Sequence, residues 1–183
     1  MHKESIDTYL KFVEPYYDDK EPGYNFSHIE RITSRLEMLS QGAEEHINYS
    51  LLNFIACFHG LTDKISEDLN FKEATIGFLR DLGWTENEID NGLILLDRHL
   101  KDPRLIEEKI VHDANYMDLL GPLGIAKAFT TGGARGQCIQ ESADIFEYEY
   151  LDTIEFKTTN GQKLSFGGRQ YAKEFLKELR ESI

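Results

Sequence analysis

Residues 45–59, Glu45-His46-Ile47-Asn48-Tyr49-Ser50-Leu51-Leu52-Asn53-Phe54-Ile55-Ala56-Cys57-Phe58-His59, form a strongly apolar stretch followed directly by Gly60. Leu51, Leu52, Phe54, Ile55 and Phe58 recur at helical rather than alternating spacing, so the stretch is expected to be a helix. Gly60 stands where a helix C-terminus belongs and is expected to be a left-handed cap. Working outward, helical periodicity continues on both sides. Upstream, residues 5–17 carry Ile6, Leu10 and Val13 on one face, and Glu21-Pro22-Gly23 breaks the chain. Ser27-His28-Ile29-Glu30 has the form of a capping box, opening a helix through Ile29, Ile32, Leu36 and Leu39 that stops near Gly42.

Downstream, residues 71–82 form a helix ended by Gly83, and Thr85-Glu86-Asn87-Glu88 is a second capping box opening a helix through Leu93, Leu96 and Leu100. Pro103 is placed for the first turn of the next helix, which runs to about residue 120. A short helix over residues 123–129 leads into a glycine-rich loop, Gly132-Gly133-Ala134-Arg135-Gly136. Two further helices, residues 144–155 and 169–181, are separated by the turn Thr158-Thr159-Asn160-Gly161, where Asn-Gly offers a small hairpin as the alternative. Strand-like alternation is nearly absent. The expected class is all-α.

The 183 residues suffice for one domain, with a core at about residues 24–130 and a C-terminal helical extension at about 140–183. Hydrophobic residues at 40% exclude a disordered chain. A formal net charge of −13 repels phosphate backbones and argues against a nucleic-acid partner, while a small phosphorylated molecule remains compatible if a metal or a few cations offset the repulsion locally. No run approaches the roughly 18–20 apolar residues that cross a bilayer. The acidic amphipathic start, residues 1–19, lacks the form of a signal peptide. Cys57 and Cys138 lack metal-ligand spacing, which points to a reduced, cytoplasmic protein. Assembly into a homo-oligomer is left open.

Imidazoles and carboxylates on packed helices are a common way to hold a divalent ion that activates water. His28, at a helix start, His59, ending the apolar run, His99, near a helix end, and Asp113, within His112-Asp113-Ala114, are the candidates. Apolar neighbours imply that His59 and Asp113 are at least partly buried and therefore need partners. A hydrogen-bonded core or surface histidine is the plainer explanation of each one taken alone.

Three stretches together are more specific. Phe26-Ser27-His28-Ile29-Glu30-Arg31-Ile32, Phe54-Ile55-Ala56-Cys57-Phe58-His59, and the segment from Asp113-Ala114-Asn115-Tyr116 through Gly124-Ile125-Ala126-Lys127-Ala128-Phe129 occur in an order that resembles the HD metal-dependent phosphohydrolase superfamily, specifically its small single-domain bacterial members. The glycine-rich segment and Gly168-Arg169-Gln170-Tyr171 extend the resemblance over about residues 26–179. The resemblance implies an HD-domain helical bundle and a weakly bound divalent ion (Mn, Mg, Ni, Fe or Zn) on His28, His59 and Asp113. It also implies His99 as an auxiliary catalytic group near a substrate phosphate. Arg31, Lys127 and Arg135 are then phosphate anchors and Lys72 a pocket-border residue; a solvated charge or a salt bridge is the simpler role for Arg31. Asp118 is expected to cap or orient rather than bind metal.

The departures from the family pattern matter equally. Gly60 stands where the family has the aspartate of its His-Asp pair, Tyr24-Asn25 where relatives carry His-Asp, and Asn115 where they have the second acid of Asp-Ala-Asp. Asp63, at i+4 from His59, could substitute if the helix continued through Gly60. Two functions therefore follow from the resemblance: a metal-dependent phosphohydrolase acting on a small phosphomonoester or nucleotide, or a degenerate HD-domain protein that binds a ligand or partner without turnover.

Overall fold

Ser5 accepts a hydrogen bond from the backbone N–H of Asp7 and starts helix α1, Ile6–Val13, which tightens into a 3-10 turn at Glu14–Tyr16. The structure is a computed structural model, describing residues 5–21 and 23–183; the expected break at Pro22 and the first four residues of the N-terminal segment lie outside the described residues. Helix α2, Phe26–Ser40, begins two residues ahead of expectation, because Asn25 rather than Ser27 occupies the N-cap position. Ser27 donates its hydroxyl to Asn25 Oδ1 (2.7 Å) instead of capping, so no capping box forms there.

The apolar run folds as α3, Tyr49–Phe58, capped by the Asn48 side chain on Leu51 N–H and buried from Leu52 to Phe58. It touches α1 and α2 as well as the later helices α6, Glu86–Arg98, and α7, Ile106–Tyr116. Gly60 does not terminate it. The chain passes through a 3-10 turn at His59–Leu61 into α4, Thr62–Glu67, and Gly60 is not among the glycines with positive φ. Its small size answers to packing: Tyr17 Oη donates to Cys57 O (2.9 Å) and accepts from Gly60 N–H (3.1 Å), and a Cβ at position 60 would lie 2.9 Å from Tyr17 Cε1.

Helix α5, Leu69–Asp81, ends ahead of Gly83, whose φ of 84° is the left-handed turn that glycine permits. The box at Thr85 and Glu88 opens α6 as expected. Helix α7 starts three residues after Pro103, because Glu108 reaches back to the backbone N–H groups of Arg104 and Leu105 and anchors the first turn there. Helix α8, Gly121–Ala134, runs through the expected glycine-rich loop. Gly132 lies inside it because a Cβ would come 2.1 Å from Ser142 Oγ, so the glycine admits α9, Ile139–Asp144, rather than cradling an anion. A π-helical segment, Ile145–Leu151, follows, and α10, Thr159–Ser182, starts at Thr158, so Asn160-Gly161 lies in its first turn and no hairpin forms.

Among the described residues there is no strand; the fold is an all-α, multi-helix bundle of HD-domain-like architecture. No described helix is long and apolar enough to cross a membrane. One apolar cluster joins α1 to α7 around Phe54, Phe58 and Leu61; a second lies under α8, the π-helical segment and α10 around Phe146, Leu151 and Leu176. Met117, in the 3-10 turn after α7, packs against both. The candidate polar residues sit around that seam.

Candidate functional site

His28, Arg31 and Arg35 share one face of α2, at spacings of three and four, and converge on Asp118. The Asp118 carboxylate is fully buried and accepts from His28 Nδ1 (2.7 Å), from Arg31 Nη2 (2.8 Å) and Nε, and from Arg35 Nη1 (2.6 Å). Burial alone would raise its pKa; the three donors outweigh burial and hold the carboxyl well below the usual carboxylate range. A carboxylate can only accept, so His28 carries its proton on Nδ1 and presents a lone pair at Nε2. That Nε2 is buried and has no hydrogen-bond partner. Arg31, anticipated as a phosphate anchor, is committed to this cluster and to the Ser27 hydroxyl.

His59 faces His28 with ring centroids 5.6 Å apart. Its Nδ1 lies 2.7 Å from His99 Nε2, and His99 Nδ1 meets Leu96 O. A carbonyl also only accepts, so His99 donates from Nδ1 and accepts at Nε2; His59 then donates from Nδ1, leaving Nε2 as its acceptor edge. Burial, followed by the neighbouring His99 and His28, lowers the His59 pKa far below the ordinary imidazole value, and burial lowers that of His99 to about 4. His99 is therefore a buried orienting residue rather than a surface one. Asn115 completes the cluster: its side-chain amide lies beside His59 and opposes the lowering of that pKa.

Lys127 enters from α8. Its ammonium lies 4.0 Å from the ring centroid of Tyr24, and a Cβ at Gly23 would touch its stem at 3.1 Å. The residue is buried, yet among the described residues its Nζ has neither a hydrogen bond nor an ion pair. Burial pushes its pKa down to about 8; Asp118 opposes that shift and Arg31 and Arg35 reinforce it. Its charge in turn helps to keep His28 and His59 neutral. Tyr24, Lys127 and Arg135 border a narrow cleft of about 50 Å³ with Tyr150 on its far wall. Arg135 is exposed, 4.0 Å from Glu21.

The other expected site residues lie elsewhere. Asp113, expected as the carboxylate ligand, is not bonded to His28, His59 or His99: it accepts from the backbone N–H groups of Lys157 (2.8 Å) and Thr158 (2.7 Å), the Thr158 hydroxyl (2.8 Å) and His112 Nδ1 (3.0 Å). It is an anchor for the start of α10. Successive helical residues are rotated by about 100°, so Asp113 and Asn115 point to opposite sides of α7, and the residue facing His59 is the amide. Asp63 is exposed; it shares a shallow cleft of about 260 Å³ with His59, His99 and Asp97 but makes no contact with the imidazoles. The helix it needed for an i+4 position is interrupted by the 3-10 turn. Lys72 is exposed on α5 and borders none of these clefts.

Two imidazole lone pairs and an amide, with Lys127 beside them, supply no negative charge to a divalent cation. Among the described residues no group of three or more histidine, cysteine, aspartate or glutamate side chains is placed to hold a metal ion. The donor set does not fit a resident divalent ion. Asn115, Arg35 and Tyr24 are site residues that no motif in the sequence singles out as such; the spacing of His28, Arg31 and Arg35 on α2 is the signal that points to Arg35.

No family model matches this chain. It is 22% identical over 187 residues to the uncharacterized protein YpgQ of Bacillus subtilis (strain 168), covering 94% of this chain and 90% of the relative. Among solved structures it is similar to the Lin1889 protein of Listeria innocua, with a TM-score of 0.78, 21% identity and coverage of 98% and 96% of the two chains. An HD-superfamily hydrolase of Bacillus thuringiensis aligns with a TM-score of 0.74 at 22% identity over 97% and 95%. At these identities the likeness establishes the fold.

Proposed function

We propose that this chain is an HD-type protein that binds a small phosphorylated molecule without turning it over. The observation that carries this reading is Lys127, a largely buried side chain whose ammonium has no anionic or hydrogen-bonding partner among the described residues and whose charge acts on His28, the imidazole with the unpartnered Nε2. A buried charge is costly unless paired, and a phosphate oxygen supplies both the charge and the acceptor. YpgQ of Bacillus subtilis has been crystallised in complex with ADP, with a TM-score of 0.73 to this chain over 98% of both, which supports a phosphorylated ligand in this fold.

The absence of turnover follows from the donor set. Gly60, Asn115 and Tyr24-Asn25 stand where the resemblance places acidic or metal-binding groups, and Tyr17 fills the space that a side chain at position 60 would need. With neutral donors facing a lysine, the centre favours an anion over a cation. The hydrolase alternative keeps one point in its favour, because an imidazole donating Nδ1–H to a carboxylate is the usual orientation of a metal ligand.

Calorimetric titration of the EDTA-treated protein with ADP, paired with a phosphate-release assay in added Mn²⁺, Mg²⁺ or Ni²⁺, separates the two. The expected result is metal-independent binding that Lys127→Met weakens roughly tenfold or more, with no phosphate released. Metal-dependent release abolished by His28→Ala, or ADP binding indifferent to Lys127, would refute the proposal.

A further inference from the structure

The Lys127 cleft encloses only about 50 Å³, against the roughly 300–1,000 Å³ of an ordinary small-molecule site, so it has room for a phosphate and not for the body of a nucleotide. Tyr150 also lines a second cleft, of about 410 Å³, between the connection preceding α7 and the π-helical segment. His112 and Tyr116 form its floor, with ring centroids 4.6 Å apart. On α7, His112, Asn115 and Tyr116 stand at i, i+3 and i+4, and Asn115 is the residue beside His59. The second cleft therefore adjoins the imidazole cluster along one helix face.

The chemistry of the second cleft complements that of the first. Its two cations are already paired, Lys157 with Glu155 (2.9 Å) and Lys101 with Asp97 (2.9 Å). Asp102, Glu149 and Glu155 add negative charge to its wall, which repels a phosphate. What it offers instead is two aromatic rings, carboxylate acceptors and one oriented imidazole. His112 is only 5% exposed and lines the cleft, and its Nδ1 donates to Asp113; the opposite ring edge, Nε2, then carries a lone pair with no hydrogen-bond partner among the described residues. An acceptor without a partner on a residue that lines a cavity can take a donor from a ligand.

We propose that this second cleft is a nucleoside subsite. Lys127 holds the phosphate, the base lies against Tyr116 and Tyr150, and His112 Nε2 accepts a hydrogen bond from an N–H of the base or a ribose hydroxyl. The acidic wall and the lysine pocket orient the ligand in one direction only. This assignment rests on the phosphate-binding reading above and narrows it to nucleotides.

Titration with ADP and with inorganic pyrophosphate, for wild type, His112→Asn and Tyr150→Leu, tests it. Wild type is expected to prefer ADP over pyrophosphate by about tenfold or more, and each substitution to bring that preference toward parity. Tyr150 is 36% exposed, so its variant is expected to fold even if the buried His112 variant does not. Equal binding of the two ligands by wild type, or a preference that survives Tyr150→Leu, overturns the subsite while Lys127-dependent binding of pyrophosphate still stands. If neither ligand binds wild type, the phosphate reading falls and the subsite with it.

Discussion

Asp113 and Lys127 are both buried charged side chains close to the seam between the two apolar clusters, and the fold serves them in opposite ways. Asp113 receives four donors and has nothing left to offer a ligand. Lys127 receives a tyrosine face and nothing else. The contrast separates structure from function: a satisfied buried group holds helices together, whereas an unsatisfied one is tolerated only where a ligand completes it. Asp118 sharpens the point. It lies five residues beyond Asp113, is equally buried, and spends its charge on orienting His28 and holding two arginines.

The largest expected effect is therefore at Asp118. Asp118→Ala strands the partly buried Arg31 and Arg35 beside the buried His28 imidazole and is expected to destabilise the protein by about 3–5 kcal/mol in urea denaturation. Asp113→Ala comes next, at about 2–4 kcal/mol, because it leaves two backbone N–H groups and the Thr158 hydroxyl without their acceptor. If Asp113 served a ligand rather than α10, its removal would leave stability nearly unchanged, and the comparison would fail on that side.

Acid is a third way to press on the cluster. His99 titrates near 6.5 when unfolded and at about 4 when folded, so its neutral, buried form contributes fully above pH 6.5. That contribution is lost as pH falls toward 4. Denaturation at pH 7 and pH 5 is expected to differ by about 2 kcal/mol from this group, with a shallower dependence in His99→Gln. The smallest effect on stability is expected at the site itself. Lys127→Met removes a buried unpaired charge and should raise stability by about 1 kcal/mol while ligand affinity falls. A loss of stability there would mean that Lys127 is structural after all.

How much of this could be read from the chain alone depends on how local the cause is. The box at Thr85 and Glu88, the helix ends ahead of Gly42 and Gly83, and the buried run of α3 are set by neighbours in sequence, and each forms as expected. Gly60 and Gly132 carry the signature of a cap and a loop, but their causes are distant: Tyr17 leans on one and Ser142 on the other. The same holds in the site. His28, His59 and His99 do come together, and Lys127 joins them, because they sit on the strongly patterned helices or directly at their ends. The choice between Asp113 and Asn115 was not legible, since both are helical and two residues apart. Only the position of α10, set by a segment some 45 residues later, decides which of them turns away.

The most direct test is the ionisation of Lys127 itself, followed by NMR of its side chain through a pH titration with and without ADP. The expected result is a midpoint near 8 in the free protein that moves upward when ADP is present, because the bound phosphate stabilises the charged form. An ordinary lysine midpoint, near 10.4 and indifferent to ADP, would contradict the claim that this ammonium is held without an anionic partner and kept for an anion.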